Sequence, residues 1–235
     1  GWLAIDLMVN PSKASYSMAP TMMACAATGF VTARMFLAKA IRSRILLSAL
    51  VGLLIGLAVN FRLPNLFLAS GYLLFFAIAF LRARSRATFL QAAAFGIACL
   101  LGMVPTLIAN AINAGSPLTT TYGSVDATAP AFSLGVILQY VHDLQFVLLL
   151  IAVGSTALAW RFVRDAALRQ TAWVSAGNLA FNLAFFLSHP LFTPYYIVPV
   201  VMLSLWSLLF ASVRPRAAWR RSGEIPARAM DHAAA

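Results

Sequence analysis

Apolar residues fall in long, nearly continuous blocks along this chain, separated by short polar stretches. A helix that crosses a bilayer needs about 20 predominantly apolar residues. Seven blocks reach or approach that length, so the pattern predicts an all-α fold, a polytopic transmembrane helix bundle of about seven membrane helices. The predicted segments are 17–38, 44–60, 64–81, 87–109, 140–160, 171–188 and 195–213.

The composition agrees with this class of protein. Charged residues make up 10% of the chain and hydrophobic residues 62%, whereas about a quarter of the residues in a soluble domain are charged. The net charge of +11 raises the question of nucleic acid. However, the basic residues lie in short clusters between apolar blocks, and no basic face with interleaved aromatics is present. We therefore expect membrane lipids, and no nucleic acid, as partners.

Most basic residues lie in every second loop of the predicted bundle, that is, after the first, third, fifth and seventh segments. Only Lys13 and Arg62 lie in the loops on the other side. The remaining basic residues are Arg34, Lys39, Arg42, Arg44, Arg82, Arg84, Arg86, Arg161, Arg164, Arg169, Arg214, Arg216, Arg220, Arg221 and Arg228. Loops rich in Lys and Arg stay in the cytoplasm. This rule predicts a cytoplasmic C-terminus, with the following segments outside: 1–16, 61–63, 110–139 and 189–194.

The predicted bundle occupies residues 1–213 and is followed by a charged segment, 214–235. This segment contains proline, glycine and a run of alanines, and we expect it to be a disordered basic cytoplasmic tail. The chain begins with Gly1 and not with methionine, and its first residues do not resemble a signal peptide. We therefore expect that more of the protein precedes Gly1.

Several residues within the predicted helices favour packing over chemistry. Ser48, Gly52 and Gly56 are spaced four apart, a pattern that lets a neighbouring helix approach closely. Asn178 and Asn182 share one helix face, where they either hydrogen-bond to a neighbouring helix or line a cavity. The cysteines, Cys25 and Cys99, show no metal-ligand spacing, so we predict packing residues there. We predict no metal site within the chain, and no cofactor is evident.

The predicted outer loops carry the residues that are candidates for binding a ligand. Arg62 stands at the head of a hairpin, between two asparagines. It is either a snorkelling interfacial side chain or a guanidinium that binds phosphate at the lipid boundary. The segment SHPLFTPYYIVPV (188–200) places His189, Tyr195 and Tyr196 at the outer mouth, where an aromatic belt is the alternative explanation for the tyrosines.

The stretch SLGVILQYVHDLQ (133–145) is too polar for the bilayer centre, and we expect it to lie along the outer interface. Within it, His142 and Asp143 are adjacent. They are either a proton-transfer pair or solvated interface residues. Adjacent residues on a helix point about 100° apart, which favours the second interpretation.

Four stretches together resemble polytopic bacterial glycosyltransferases of the GT-C type, which use polyprenyl-phosphate sugars and include enzymes dependent on dolichyl-phosphate mannose. The matching stretches are ASYSMAPTMMACAA (14–27), GLLIGLAVNFRLPNLFL (52–68), IANAINAGSPLTTTYG (108–123) and TPYYIVPVVML (193–203). Their order and spacing agree with the family, and the resemblance covers about residues 14–210. It implies a membrane protein of the bacterial inner membrane.

The resemblance also implies a site. The loop 110–123 would lie over an extracytoplasmic cavity where a lipid-linked sugar donor meets a lipid, polysaccharide or protein acceptor. Arg62 would lie near the donor phosphate, and Tyr122 would point towards the sugar or the phosphate. Tyr195 and Tyr196 would line the rim beside His189, although many relatives have arginine at the position of Tyr195.

The family's catalytic carboxylate lies in the first outer loop, which corresponds to a segment upstream of Gly1. The chain would therefore contribute substrate-binding residues and no catalytic base. We expect hexosyl transfer from the full-length protein and none from these 235 residues alone. Whether a divalent metal assists is left open.

Three other functions are compatible with the sequence. A transporter or flippase subunit, for a lipid-linked or small polar substrate, would use the asparagines of the sixth helix to line a path. A polymerase or ligase of surface polysaccharide would also use lipid-linked sugars. A purely structural membrane subunit would leave Arg62 and Tyr122 without any role in activity.

Overall fold

The computed structural model describes residues 17–119, 131–143, 145–189 and 194–213, which form helices and turns and include no strand. The all-α prediction is confirmed for these residues. The α-helices are α1 (Met18–Leu37), α2 (Ile41–Val59), α3 (Ser70–Ala83), α4 (Arg86–Ala114), α5 (Leu134–His142), α6 (Gln145–Phe162), α7 (Ala166–Ser188) and α8 (Val198–Ser212). Short 3₁₀ helices, Leu63–Ala69 and Pro194–Ile197, lead into α3 and α8.

Five helical units in the described part of the chain are long and apolar enough to cross a membrane. They are Ile41–Val59, Leu63–Ala83, Arg86–Ala114, Gln145–Phe162 and Tyr195–Ser212. Helices α1 and α7 have the necessary length, with 20 and 23 residues, but they carry more polar side chains. Length and composition thus support five spans where the sequence pattern predicts seven.

Some predicted boundaries differ from the structure. The predicted fifth segment, 140–160, is interrupted, because the chain turns at Asp143 and a new helix starts at Gln145. The carboxylate of Asp143 accepts the Gln145 N–H at 2.9 Å, a local bond that competes with helix continuation. The fourth segment extends to Ala114 and ends at Gly115, which has a φ of +75°, a conformation that glycine adopts without steric cost.

Helices α2 and α4 run parallel and their backbones are in close contact. A Cβ added at Gly52 would overlap the carbonyl oxygen of Phe95, and one at Gly56 would overlap that of Cys99. From the side of α4, a Cβ at Gly102 would lie 2.6 Å from a carbonyl oxygen of α2. The predicted close approach is therefore confirmed at both glycines of α2.

Ser48, the third small residue of the predicted series, faces α1 instead. Its hydroxyl donates to the Arg44 carbonyl at 2.8 Å and contacts the sulfur of Met35 at 3.2 Å. Helix α1 then packs along α8, where a Cβ at Gly29 would lie 2.9 Å from the backbone nitrogen of Ser207. These contacts place α1 between α2 and α8.

Helices α3 and α7 cross at two glycines and two asparagines. The Asn178 Oδ1 accepts the Gly71 N–H at 2.6 Å and the Ser70 hydroxyl at 3.2 Å. The Asn182 Nδ2 donates to the carbonyl of Phe67 at 3.1 Å. Of the two interpretations of this asparagine pair, interhelical hydrogen bonding is the one that the structure shows.

Apart from the short helix α5, consecutive helices alternate in direction, so the bundle has two distinct ends. The turn that holds Arg62 and the starts of α1 and α8 meet at one end, which we call the Arg62 end. The other described basic residues lie at the opposite end, which we call the basic end. They are Arg34, Lys39, Arg42, Arg44, Arg82, Arg84, Arg86, Arg161, Arg164 and Arg169.

The α2–α4 contact gives a stability prediction. We expect Gly56→Ala to destabilise the bundle by about 1–3 kcal/mol, because the new methyl group forces two backbones apart. The matched control is Gly96→Ala in α4, where a Cβ would meet no described atom within 4 Å. That change should stabilise α4 by up to about 1 kcal/mol. Denaturant unfolding in detergent micelles measures both, and equal effects would contradict the prediction.

Candidate functional site

Arg62 occupies the turn between α2 and the 3₁₀ helix Leu63–Ala69. Its backbone is extended, with φ −156° and ψ 124°. The Arg62 N–H donates to the Ala58 carbonyl at 3.3 Å, and the Arg62 carbonyl accepts the Asn65 N–H at 3.0 Å. Pro64, in the first turn of the 3₁₀ helix, needs no hydrogen-bond partner for its nitrogen. The turn is thus closed by its own backbone and fixes the origin of the Arg62 side chain.

Asn65 ties this turn to the start of α1. Its side chain is 3% exposed, and Nδ2 donates to the Thr21 hydroxyl at 3.0 Å and to the Ala58 carbonyl at 2.8 Å. The Thr21 hydroxyl in turn donates to the Ser17 carbonyl at 2.7 Å. A buried amide with these partners holds three segments together.

Asn60 ties the same turn to α4 at a proline. Its Nδ2 donates to the Gly102 carbonyl at 2.8 Å, and its Oδ1 accepts the Thr106 N–H at 2.9 Å and the Thr106 hydroxyl at 2.6 Å. In a regular helix, the Thr106 N–H would donate to the Gly102 carbonyl, four residues earlier. Pro105 lies within this turn of α4, where it has no N–H to donate and disturbs the neighbouring backbone hydrogen bonds. The Asn60 amide therefore supports α4 where proline weakens it.

The Arg62 guanidinium lies against two tyrosine rings. Its central carbon is 4.5 Å from the ring centroid of Tyr195 and 4.3 Å from that of Tyr196. The two rings stand nearly perpendicular, at 83°, so they contact the cation from two directions. Each contact is a cation–π interaction. Residues that are more than 130 positions apart in the sequence are thus in contact.

No carboxylate among the described residues pairs with Arg62. Besides the tyrosines, the sulfur of Met18 lies 3.9 Å from a guanidinium nitrogen of Arg62. Guanidinium carries five N–H donors in a planar fork, and cation–π contacts with two rings do not use all of them. The half-buried group is therefore oriented by aromatic contacts while its remaining N–H groups can donate to an anion.

His189 lies at the same end, on the other side of an aromatic cluster. Its ring stacks on that of Phe185, with 4.2 Å between the ring centroids. Phe186, the next residue of α7, contacts Tyr196 with 6.2 Å between the ring centroids. The His189 Nδ1 is 2.8 Å from the Phe185 carbonyl. A carbonyl only accepts, so Nδ1 is the donor in this contact.

Tyr122 falls outside the described residues, so its role stays a prediction. The flanking parts of its loop are described. The Asn110 amide donates to the Pro117 carbonyl at 3.2 Å, and the Ala131 N–H donates to the Ser188 carbonyl at 2.6 Å. The loop therefore leaves the end of α4 and returns beside His189.

Helix α5 has two residues that face the bundle, Val136 and Tyr140, and its other apolar side chains are exposed. Burial raises the pKa of Tyr140, and the Asp143 charge adds to the rise, so the phenol stays protonated. The His142 Nδ1 lies 2.7 Å from the Leu138 carbonyl. His142 and Asp143 each bond to local backbone, which agrees with interface residues more than with a proton-transfer pair.

The two cysteines do not belong to a cluster of potential metal ligands. Within the described residues, no group of three or more His, Cys, Asp or Glu side chains lies close together. Cys25 and Cys99 are buried, and the backbone of Cys99 contacts Gly56. The cysteines are packing residues, as predicted.

Sequence reasoning missed the roles of Asn60 and Asn65, although it noted that they flank Arg62. The signal was available, since asparagine at the end of an apolar segment often bonds to backbone. It also missed Gln145, which is 4% exposed and whose Oε1 has no hydrogen-bond partner among the described atoms.

Comparison with protein-family models, with curated proteins and with solved structures found no match. The interpretation of the Arg62 end therefore depends on its own geometry and on the motif resemblance.

Asn65 gives a second stability prediction. We expect Asn65→Ala to lower the free energy of unfolding by about 1–2 kcal/mol, because two buried hydrogen bonds are lost. Asn110→Ala is the control, since it removes one bond at an exposed position and should change stability by less than about 0.5 kcal/mol. Thermal unfolding in micelles compares the two, and an Asn65 variant as stable as the control would argue against the tie to α1.

Proposed function

We propose that the Arg62 end binds the phosphate of a polyprenyl-phosphate sugar, and that the chain is part of a membrane-embedded glycosyltransferase acting at the extracytoplasmic face. The observation that carries this proposal is the Arg62 guanidinium held against Tyr195 and Tyr196. These three residues belong to two separate stretches that resemble the GT-C family. Their contact in space supports that resemblance without depending on it.

The chemistry of the three residues suits a lipid-linked phosphate. A guanidinium fork donates to two oxygens of one phosphate, and it is more weakly hydrated than an ammonium group, which favours a site near lipid. Tyrosine rings are common at the membrane interface, where one end is apolar and the other polar. The phosphate of a polyprenyl lipid lies at that depth, while its chain remains among the acyl tails.

In sugar transfer, the departing phosphate gains negative charge in the transition state. A fixed cation beside it stabilises that charge, and this is the role we assign to Arg62. The acceptor also has to lose a proton to a base. By the resemblance, that base is a carboxylate of the family's first outer loop, and His189 takes part in substrate binding at the rim. The acceptor is a lipid, a polysaccharide or a protein.

For the membrane arrangement, we propose seven spans with a cytoplasmic C-terminus in a bacterial inner membrane. The added spans are α1 and α7. Their polar groups bond within the bundle, as with Thr32 to the Tyr72 hydroxyl at 2.6 Å and Asn178 to Gly71. Polar side chains that are satisfied internally are tolerated at membrane depth. The basic end then faces the cytoplasm.

Fusions to alkaline phosphatase, which is active only outside the cytoplasm, test this topology. We expect active fusions after Leu118 and after His189, and inactive fusions after Arg164 and after Val213. If α7 does not cross, the fusions after Arg164 and His189 will show the same activity. That result would reduce the number of spans.

A transporter or flippase subunit is the alternative. It predicts that the α7 asparagines line a polar path through the membrane. In the structure, Asn178 and Asn182 bond to the backbone of the segment that joins the 3₁₀ helix to α3. Helix packing accounts for both side chains, so no observation favours transport over phosphate binding.

Binding of a polyprenyl phosphate to the purified chain in micelles tests the proposed site. We expect Arg62→Ala to weaken binding about tenfold or more, because a hydrogen bond to a charged group contributes about 1.5–3 kcal/mol. Arg62→Lys keeps the charge but loses the planar fork, and should give an intermediate affinity.

The matched control is Arg34→Ala. Arg34 is also an arginine beside an aromatic ring, 6.0 Å from the centroid of Phe30, but it is exposed and belongs to the basic end. Its removal should leave the affinity of the Arg62 site unchanged. Equal losses in the two alanine variants would indicate nonspecific charge attraction, and no loss in Arg62→Ala would favour a structural subunit.

A further inference from the structure

The basic end contains a cluster of cations contributed by two neighbouring turns, which we call the two-turn cluster. The α1–α2 turn and the start of α2 supply half of it, and the end of α3 and the start of α4 supply the rest. Its members are Lys39, Arg42, Arg44, Arg82, Arg84 and Arg86. Helices α2 and α4 are parallel and in contact at Gly52 and Gly56, so the two turns lie at the same end of two neighbouring helices.

The two-turn cluster has no acidic partner in the described part of the chain. Its side chains are exposed, except that of Arg44, which is half-buried and donates from Nε to the Ala38 carbonyl at 2.7 Å. The described acids lie elsewhere. Asp143 is at the Arg62 end, and Asp165 caps α7 by accepting the Leu168 N–H at 3.0 Å. Like charges gathered in this way repel one another unless an anion offsets them.

Large apolar side chains are exposed immediately beside these cations, on the side towards the bilayer. Leu46 is 71% exposed, Leu81 70% and Phe89 57%, and they belong to α2, α3 and α4. The surface therefore combines a cationic rim with an apolar wall. This combination suits a molecule with an anionic head and a hydrocarbon tail, whereas free phosphate would use only the rim.

We propose that the two-turn cluster binds the headgroup phosphates of anionic phospholipids, with the acyl chains against Leu46, Leu81 and Phe89. Arginine predominates in the cluster, and its fork matches phosphate oxygens. Basic residues next to a membrane helix attract anionic lipids, and their contributions add from residue to residue. The α6–α7 turn carries Arg161, Arg164 and Arg169, but Asp165 lies among them and offsets part of their charge.

Lipid binding to the purified full chain tests the assignment. The probes are mixed micelles of phosphatidylglycerol, micelles of phosphatidylcholine, and inorganic phosphate, with binding followed by native mass spectrometry and by thermal unfolding. We expect phosphatidylglycerol to bind and to raise the unfolding temperature at low salt. Phosphatidylcholine and inorganic phosphate should have little effect.

The decisive comparison uses two triple variants of equal charge change. Arg82→Gln/Arg84→Gln/Arg86→Gln should bind phosphatidylglycerol about tenfold more weakly or worse than the wild type. Arg161→Gln/Arg164→Gln/Arg169→Gln should bind nearly as well as the wild type. Arg82→Lys/Arg84→Lys/Arg86→Lys retains the charge and should keep most of the wild-type affinity. It remains informative if the first glutamine variant folds poorly.

Three results would overturn the proposal. Equal losses in the two glutamine variants would show attraction to the whole basic end, without a site. Equal binding of phosphatidylglycerol and phosphatidylcholine to the wild type would show that the negative charge of the headgroup does not contribute to binding. Competition by inorganic phosphate at the same concentration as the lipid would show that the apolar wall contributes nothing.

Discussion

Buried backbone groups in a membrane bundle need partners within the protein, because the bilayer core provides no water to satisfy them. Much of this fold depends on that constraint, and four asparagines meet it. Asn60 bonds to both sides of the weakened turn in α4, and Asn65 closes the turn after α2 onto α1. Asn178 and Asn182 bond to the segment that leads into α3. Without these amides, the irregular backbone around Arg62 would leave polar groups unsatisfied next to lipid.

The glycines complement the asparagines in a different way. Close contact at Gly52, Gly56 and Gly102 brings α2 and α4 near enough for a side chain as short as Asn60 to span the gap. A similar contact between Gly71 and α7 lets Asn178 reach the start of α3. Small residues thus set the helix separation, and the amides then fix the helix register.

The hydrophobic blocks were sufficient to predict the helical class and most helix positions. Each block has to be long enough for a bilayer, so its ends are constrained to within a few residues. The break at Asp143 was harder to place, because it depends on one side chain that captures the N–H of Gln145. For the site, the sequence could single out Arg62, Tyr195 and Tyr196 by residue type and by resemblance. It could not give their contact, since that depends on how α8 packs against α1 and against the 3₁₀ helix that follows Arg62. Nor could it identify what Asn60 and Asn65 bond to, because an asparagine in an apolar stretch has many possible partners.

The contact between Arg62 and the tyrosines has a consequence for the entropy of anion binding. Each cation–π contact contributes about 0.5–1 kcal/mol at an exposed site, and the two rings together keep the side chain ordered when no anion is present. The rings do not use all five N–H donors of the guanidinium, so an anion can bind while the rings stay in place. An arriving anion would find a donor that has already lost most of its rotamer freedom. The tyrosines thus reduce the entropy that is lost on binding, because they have ordered the cation beforehand.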